Sequence, residues 1–368
     1  MDSRGALTPR VVVVGAGGTI GSHLVPHLAR SGSVRHLVLI DRDRYDAGNL
    51  ANQNITRSEV GRPKARVQAA RARRIAPDLV ITAVVADVER LPLGLLHADL
   101  ILGCVDNRRA RLRLNEAAWR LGVTWIDAGV LADGGLARVS IYAPGADAAC
   151  LECAWSEQDY RLVEQDYPCR PATAAATGTP SGIGALAGAL LATEADQHLR
   201  GAAERLPAGS EVVVSAHFHR HYLTRGVRRS ECRFDHRTWP VELEPGAPTR
   251  ELGQLIRSAG FDLTRTRVTV PGHHFARRLE CPGCGRSHPV ARLASRLGAA
   301  RKRCPHCAAE RVLSGFAMSD ALGPGIDGAL ARRSLAGLGL TIGDLIHLSD
   351  GARERYLELA PTDGDPTG

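Results

Sequence analysis

VVVVGAGGTIGSHLVPHLAR, residues 11–30, is the stretch that decides the fold. Four consecutive valines with no polar alternation are the pattern of a strand buried on both faces. GAGGTIG at 15–21 follows without a spacer, and SHLVPHLAR at 22–30 reads as the helix behind it. A second β-rich run at 34–40 ends in Asp41. Strand, glycine-rich turn, helix, strand and acid in this order make a nucleotide-binding βαβ unit. The glycines let backbone N–H groups approach a phosphate at a helix N-terminus, where the helix dipole also favours an anion. Asp41, at a strand end, is placed to accept hydrogen bonds from ribose hydroxyls. These features alone do not separate NAD from ATP.

Working outward, ITAVV at 81–85, ADLILGCVDN at 98–107 and VTWIDAG at 123–129 read as further strands, with helices over 64–76 and 108–121. The alternation predicts an α/β fold. Asp106 then lies on the same carboxyl edge as the glycine turn, where such sheets bind ligands. A lysine and a strand-end carboxylate beside a phosphate loop suit a magnesium nucleotide better than a nicotinamide. Lys64 would neutralise phosphate charge and Asp106 would hold the metal. The competing roles are a solvated helix start for Lys64 and a strand-end cap for Asp106.

The chain has 368 residues, 44% hydrophobic and 23% charged, room for one large domain and a smaller one. No run of about eighteen apolar residues occurs, and no basic-then-apolar signal precedes the first strand, so a membrane span and a secreted scaffold are excluded and a cytoplasmic protein is expected. The net charge of +8 is carried almost wholly by arginine, with Lys64 and Lys302 the two lysines, a skew assigned to genome composition. Residues 261–310 hold ten basic and three acidic side chains, whereas 311–368 hold five and eight. Within 261–310 the aromatics are Phe261 and Phe275, too few for stacking on single-stranded bases, so a protein partner or plain stabilisation is preferred to nucleic acid.

Nine cysteines are the other unusual feature, and seven have a neighbour at metal-ligand spacing, which favours zinc in a reducing compartment. Cys281-Pro-Gly-Cys284 and Cys304-Pro-His-Cys307 form two knuckles nineteen residues apart, a spacing that suits a closed tetrahedral zinc site. His288 and His306 are read as surface residues near it. Cys150-Leu-Glu-Cys153 is a further half-site, and Cys104, inside a strand, is read as packing.

Together these residues resemble the ThiF and MoeB family, relatives of the ubiquitin-activating enzymes. The resemblance runs through VVVVGAGGTIGSHLVPHLAR, LVLIDRDRYDAGNLANQ, VGRPKA, ILGCVDNRRARLRLN, IDAG, CLEC and TPSGIGALAGALLATEA, roughly residues 10–200. It implies a Rossmann-like nucleotide-binding fold with a mixed sheet over residues 1–245, followed by a small zinc-containing domain at 246–368. By resemblance Gly15, Gly17, Gly18 and Gly21 form the phosphate turn and Asp41 binds the ribose. Asn49 and Gln53 line the nucleotide site, Lys64 contacts phosphates and Asp106 coordinates Mg2+, while Asn107 and Arg111 look structural.

The family's zinc-bearing members complete the Cys150–Cys153 half-site with a second pair after the long helix, and here Cys232 and His236 are the candidates for Zn2+. Cys169 falls in the segment that in this family carries a thiol able to receive the activated acyl group. The sequence departs from the pattern in two places that bear on catalysis: the family's N-terminal arm, with an arginine that reaches into the neighbouring subunit's site, is not expected here, and a motif arginine is missing. The family's Asn-Leu-Asn-Arg-Gln is here Asn49-Leu50-Ala51-Asn52-Gln53, and Arg57, Arg62 or Arg108 is offered as compensation.

The activity implied is ATP-dependent adenylation of the C-terminal glycine carboxylate of a small ubiquitin-like or sulfur-carrier protein by a homodimer. Alternatives are adenylation of a peptide or small carboxylic acid without a thioester, and a non-catalytic zinc-containing adaptor. Towards the C-terminus one or two strands are expected over 201–245, with the histidines of HFHRH at 217–221 alternating along one of them. The segment 245–261 reads as a linker leading into a helix, and further helices are expected at 325–336 and 341–347.

Overall fold

The computed structural model describes residues 9–164, 180–246, 248–298, 302–313 and 315–361. They form two compact units, one of residues up to 91 and 96–238, the other of 92–95 and from 239 onward.

The first unit is built on an eight-stranded mixed sheet ordered β3-β2-β1-β4-β5-β6-β7-β8. Strands β1 (Arg10–Val14), β2 (His36–Ile40), β3 (Val80–Val84), β4 (Leu100–Gly103) and β5 (Thr124–Leu131) run parallel. β6 (Leu136–Tyr142), β7 (Ser210–Ser215) and β8 (Arg220–Arg225) extend it antiparallel. Val11, Val12 and Val13 are fully buried, as an uninterrupted apolar run in a sheet covered on both faces requires. Helices α1 (Gly21–Ser31) and α5 (Ser181–Leu199) bury Leu24, Val25, Ala187 and Leu191 in the same core. α2 (Lys64–Ile75) and α3 (Arg108–Leu121) complete the parallel half, and α4 (Glu157–Glu164) follows the Cys150 segment. The chain passes from β3 at one edge to β4 beside β1, so the strand order reverses between β1 and β4.

The second unit carries a five-stranded sheet ordered β14-β10-β15-β16-β9 and a three-stranded sheet ordered β12-β11-β13. The first comprises β9 (Val241–Pro245), β10 (Arg267–Thr269), β14 (Ala321–Leu322), β15 (Leu345–Ser349) and β16 (Glu354–Ala360). The second comprises β11 (Phe275–Glu280), β12 (Ser287–Leu293) and β13 (Met318–Ser319). Helix α6 (Leu252–Ser258) and the single turn α7 (Gly328–Ala331) close the core around Leu255, Ile256, Leu335 and Ile346. Because β9 pairs in parallel with β16, residues 241–245 belong to this unit.

Three local expectations are corrected. Residues 345–349 are a strand rather than a helix, since Gly343 holds φ at 84° just before them and Leu345, Ile346 and Leu348 are buried in pairing with β16. The predicted 325–336 helix shrinks to α7, and Leu335, Leu338 and Leu340 enter the core from turns around Gly337 and Gly339. HFHRH spans the β7–β8 turn with His219 at φ 51°, so its histidines do not share one strand face.

Candidate functional site

A cavity of about 850 Å³ opens where the strand order reverses, at the carboxyl ends of β1, β2 and β4. The four glycines of the turn divide into two kinds. Gly15 and Gly18 line the cavity, and Gly15 sits at φ 79° with space for no side chain, because a Cβ would fall 2.4 Å from the Cys104 carbonyl oxygen. Gly17 and Gly21 are packing positions: a Cβ would lie 2.4 Å from Lys64 Cβ or 2.2 Å from the Gly15 oxygen. Asp41 ties the turn down by accepting from Gly17 N at 2.9 Å and Asp43 N at 3.0 Å. Burial raises its carboxyl above the usual range, and those two N–H groups oppose the rise.

Lys64 begins α2, is buried, and reaches the cavity over the Tyr45 ring with Nζ 5.5 Å from the centroid. Its nearest carboxylate is Asp43 at 3.9 Å, too far for a hydrogen bond, so the ammonium is left facing the cavity. Across the cavity Asp106 is exposed, and the next residue, Asn107, caps α3 by accepting from Ala110 N at 2.8 Å. Asn49 lines the site from a short 3₁₀ turn, locked there by reciprocal bonds with Asp46. Asn52 Oδ1 and Gln53 Oε1 are buried in the same wall with no hydrogen-bond partner among the described residues. Unpartnered buried acceptors are costly unless a ligand donates to them.

Sequence reasoning missed the floor. Asp127 is fully buried and accepts from Arg111 Nε at 3.0 Å and Arg138 Nη2 at 2.7 Å. Arg138 also donates to Ser140 at 2.9 Å and Glu211 at 3.1 Å. Both guanidinium groups converge over Gly129, whose missing side chain leaves the room: a Cβ there would meet Arg138 Nη2 at 3.1 Å and Arg111 Nη2 at 3.6 Å. Arg138 and Arg111 both line the cavity. The β5–β6 register, which sets Gly129 opposite Arg138 and Asp127 opposite Ser140, is what joins them. The alternating polar residues of LARVSIY were the available signal.

Among the residues read from sequence, Arg57, Arg62 and Arg108 do not line the cavity. Arg57 is exposed in a 3₁₀ turn, and Arg108 pairs with Asp159 at 3.3 Å. Cys169 lies outside the described residues. Cys104 is buried, and burial pushes its thiol well up, consistent with packing.

Two clusters can hold a metal ion. In the first, Cys150 Sγ lies 3.9 Å from Cys153 Sγ and 3.7 Å from Cys232 Sγ, while Cys153 Sγ is 3.2 Å from His236 Nε2. Trp119 backs this cluster, its ring 4.8 Å from the His236 ring. The second joins Cys281, Cys284, Cys304 and Cys307 in the second unit. There His288 is half-buried with Nε2 3.5 Å from Cys304 Sγ, so it faces the cluster rather than solvent.

Fold and site define the class: an α/β domain with a glycine turn, a buried lysine and a strand-end acid on one cavity. The model of the ThiF family matches residues 5–233, and the chain belongs to that family, an enzyme of the ThiF adenylyltransferase type. The sulfur carrier protein ThiS adenylyltransferase of Escherichia coli K12 is 32% identical over 206 residues, covering 55% of this chain and 76% of that protein. Ubiquitin-like modifier-activating enzyme 5 of Oryza sativa subsp. japonica is 29% identical over 201 residues, and the match spans 46% of that protein's length. Among solved structures, E. coli MccB with succinimide shares the fold at a TM-score of 0.50 and 23% identity, over 61% of this chain and 66% of that one. Among the described residues no helix is long and apolar enough to cross a membrane.

Proposed function

We propose that this chain adenylates the C-terminal glycine carboxylate of a small ubiquitin-like or sulfur-carrier protein, using ATP and Mg2+ and releasing pyrophosphate, as a homodimer. The observation that carries the reading is the convergence of Gly15, Gly18, Lys64 and Asp106 on one cavity in a ThiF-family chain. A carboxylate nucleophile is already ionised, so no general base is needed; positioning and neutralisation of charge do the work. Lys64 and the turn's backbone N–H groups would hold the phosphates, Asp41 the ribose, and Asn52 and Gln53 would find donors on the nucleotide. Arg138 and Arg111 line the same cavity and would supply cations in place of the arginine that Asn52 replaces.

The donor set fits a divalent ion. The cavity is lined by five carboxylates (Asp41, Asp43, Asp46, Asp87, Asp106) and four cations (Arg42, Lys64, Arg111, Arg138), so a bare triphosphate would meet a wall with no positive excess. Asp106 would hold magnesium, whose charge would offset that of the phosphates. Cys169 would then take the acyl group from AMP as a thioester in a second step.

ATP–pyrophosphate exchange tests the reading. Exchange that depends on a small protein ending in Gly-Gly supports it, and exchange with a peptide or free acid alone transfers the assignment to those substrates. Asp106→Ala is expected to abolish exchange. Persistence of exchange in that variant, or absence of both exchange and ATP binding in the parent, would sink the assignment.

A further inference from the structure

The ThiF match ends at residue 233, so the cluster of the second unit lies outside anything that family membership explains. Its two knuckles are built alike. In the first, Cys281 N donates to Arg286 O at 2.9 Å and Gly285 N to Cys281 O at 2.8 Å. In the second, Cys304 N donates to Ala309 O at 2.8 Å and Ala308 N to Cys304 O at 2.9 Å. The residue after each second cysteine is left-handed, Gly285 at φ 67° and Ala308 at φ 58°. Alanine rarely adopts that conformation, so its presence at the matching position marks a turn imposed from outside the local sequence. In each knuckle a backbone N–H two residues beyond the second cysteine points at that cysteine's sulfur, Arg286 at Cys284 and Ala309 at Cys307.

The knuckles are pressed together. A Cβ on Gly283 would lie 2.9 Å from Ala309 Cβ and 3.4 Å from Cys307 Sγ. Paired backbone bonds between Glu280 and Val312, at 2.9 and 2.8 Å, fasten the second knuckle beside the β11–β12 hairpin. All four sulfurs fall within 4.8 Å of one another, with Cys281–Cys307 at 3.3 Å and Cys284–Cys304 at 3.8 Å. Four sulfurs about 2.3 Å from a central zinc would be about 3.8 Å apart, whereas a disulfide needs about 2.05 Å. The four cysteines are free, and the equivalence of the two knuckles gives no reason to prefer any one pairing.

We infer that Cys281, Cys284, Cys304 and Cys307 bind a structural zinc ion, and that His288 is a positioning residue that donates Nε2–H to the Cys304 thiolate. β12 fixes the imidazole, since His288 stands opposite Leu279 in the β11–β12 register. A tetrathiolate zinc centre carries a net charge of −2. Exposed Arg277, Arg278, Arg286, Lys302 and Arg303 surround it in sequence, with Glu280 and Glu310 opposing them. Part of the basic excess of this segment is therefore counter-charge to the metal centre rather than a surface for nucleic acid. The inference stands or falls independently of adenylation.

Metal analysis of the purified full-length chain is expected to find zinc at both clusters. Cys284→Ser should lose one equivalent while Cys153→Ser loses the other. X-ray absorption at the zinc edge of the Cys153→Ser protein should then show a shell of four sulfurs and no nitrogen. His288→Ala should keep the ion but release it to a chelator about 10–100-fold more readily, and shift the sulfur-to-metal charge-transfer band of the cobalt-substituted protein. His288→Gln, which retains an N–H donor, should restore both. Unchanged zinc content in Cys284→Ser would overturn the site, as would iron in its place or four thiols recovered as disulfides. If Cys284→Ser does not fold, the absorption spectrum of the parent decides, since a mean sulfur number too low for one all-sulfur site is incompatible with the inference. His288→Ala indistinguishable from the parent in release and spectrum removes the histidine from it.

Discussion

The two units of this chain set their cysteine clusters in different surroundings. In the first, parallel strands buried on both faces and helices packed over them fix the cavity, and its cysteine–histidine cluster leans on Trp119 and Phe234. In the second, the three-stranded sheet is short and its two knuckles meet through four sulfurs. The first cluster joins half-sites 82 residues apart, whereas each half of the second spans four residues and closes its own turn. The first cluster therefore sits against an aromatic wall, whereas the second, with Cys307 exposed, stands at two turns, and we expect it to depend more on a bound ion.

The largest effect that would separate them is metal removal. Stripping zinc under reducing conditions removes a binding term on the order of 10 kcal/mol from a structural site. Hydrogen exchange is expected to show protection lost over the two knuckles, 281–286 and 302–312, and retained over β1 and β2; protection surviving in both regions would break the contrast. The converse experiment is Gly21→Ala, whose Cβ meets the Gly15 oxygen at 2.2 Å. It should cost about 1–3 kcal/mol of stability in denaturant unfolding. ATP affinity should fall at least tenfold, while zinc content at Cys281–Cys307 is unchanged.

Arg138→Ala removes one of the two guanidinium groups on Asp127. We expect kcat/KM for exchange to fall about 10–100-fold, or about 1.4–2.7 kcal/mol of transition-state stabilisation, with Lys in its place recovering part of the loss. Equal activity of parent and alanine variants would confine Arg138 to the fold. The smallest effect is on pH. Burial raises the Asp41 carboxyl, so its ionised form is lost on acidification at a pH above the ordinary value of about 3.9. A neutral carboxyl accepts fewer hydrogen bonds, and ATP affinity should decline several-fold as pH falls through that range. Calorimetry with Asp41→Asn should show a flatter profile at weaker affinity.

Much of the first unit was legible because its signals are local. A valine run, a glycine turn and a strand-end acid lie within 31 consecutive residues, 11–41, and each element's chemistry depends on its immediate neighbours. All four glycines of the turn are legible but not sorted, since Gly15 and Gly17 are constrained by Cys104 and Lys64, far along the chain, while Gly21 packs on Gly15 and Ala16 of the turn itself. The missing arginine is legible at Asn52, and the sequence offers Arg57, Arg62 or Arg108 in its place. Among the cations that line the cavity, Arg138 comes from the antiparallel strand β6, beyond the parallel half of the sheet. The C-terminal helix assigned at 341–347 failed because Leu345, Ile346 and Leu348 satisfy a helix and a buried strand equally, and pairing with β16 chose the strand.

By itself the sequence determined what can be written in short-range terms: a nucleotide-binding βαβ unit, a buried lysine candidate, and two cysteine knuckles of matching spacing. Only the tertiary structure could aim His288 at Cys304 and gather Arg111 and Arg138 on Asp127, and it brings Cys150 and Cys153 together with Cys232 and His236 as the family resemblance implies. Those groups meet through strand register and chain return, which bring together residues up to 86 positions apart. Composition and spacing carry no record of such meetings, because the free energy that selects them is that of packing the whole core rather than of any one segment.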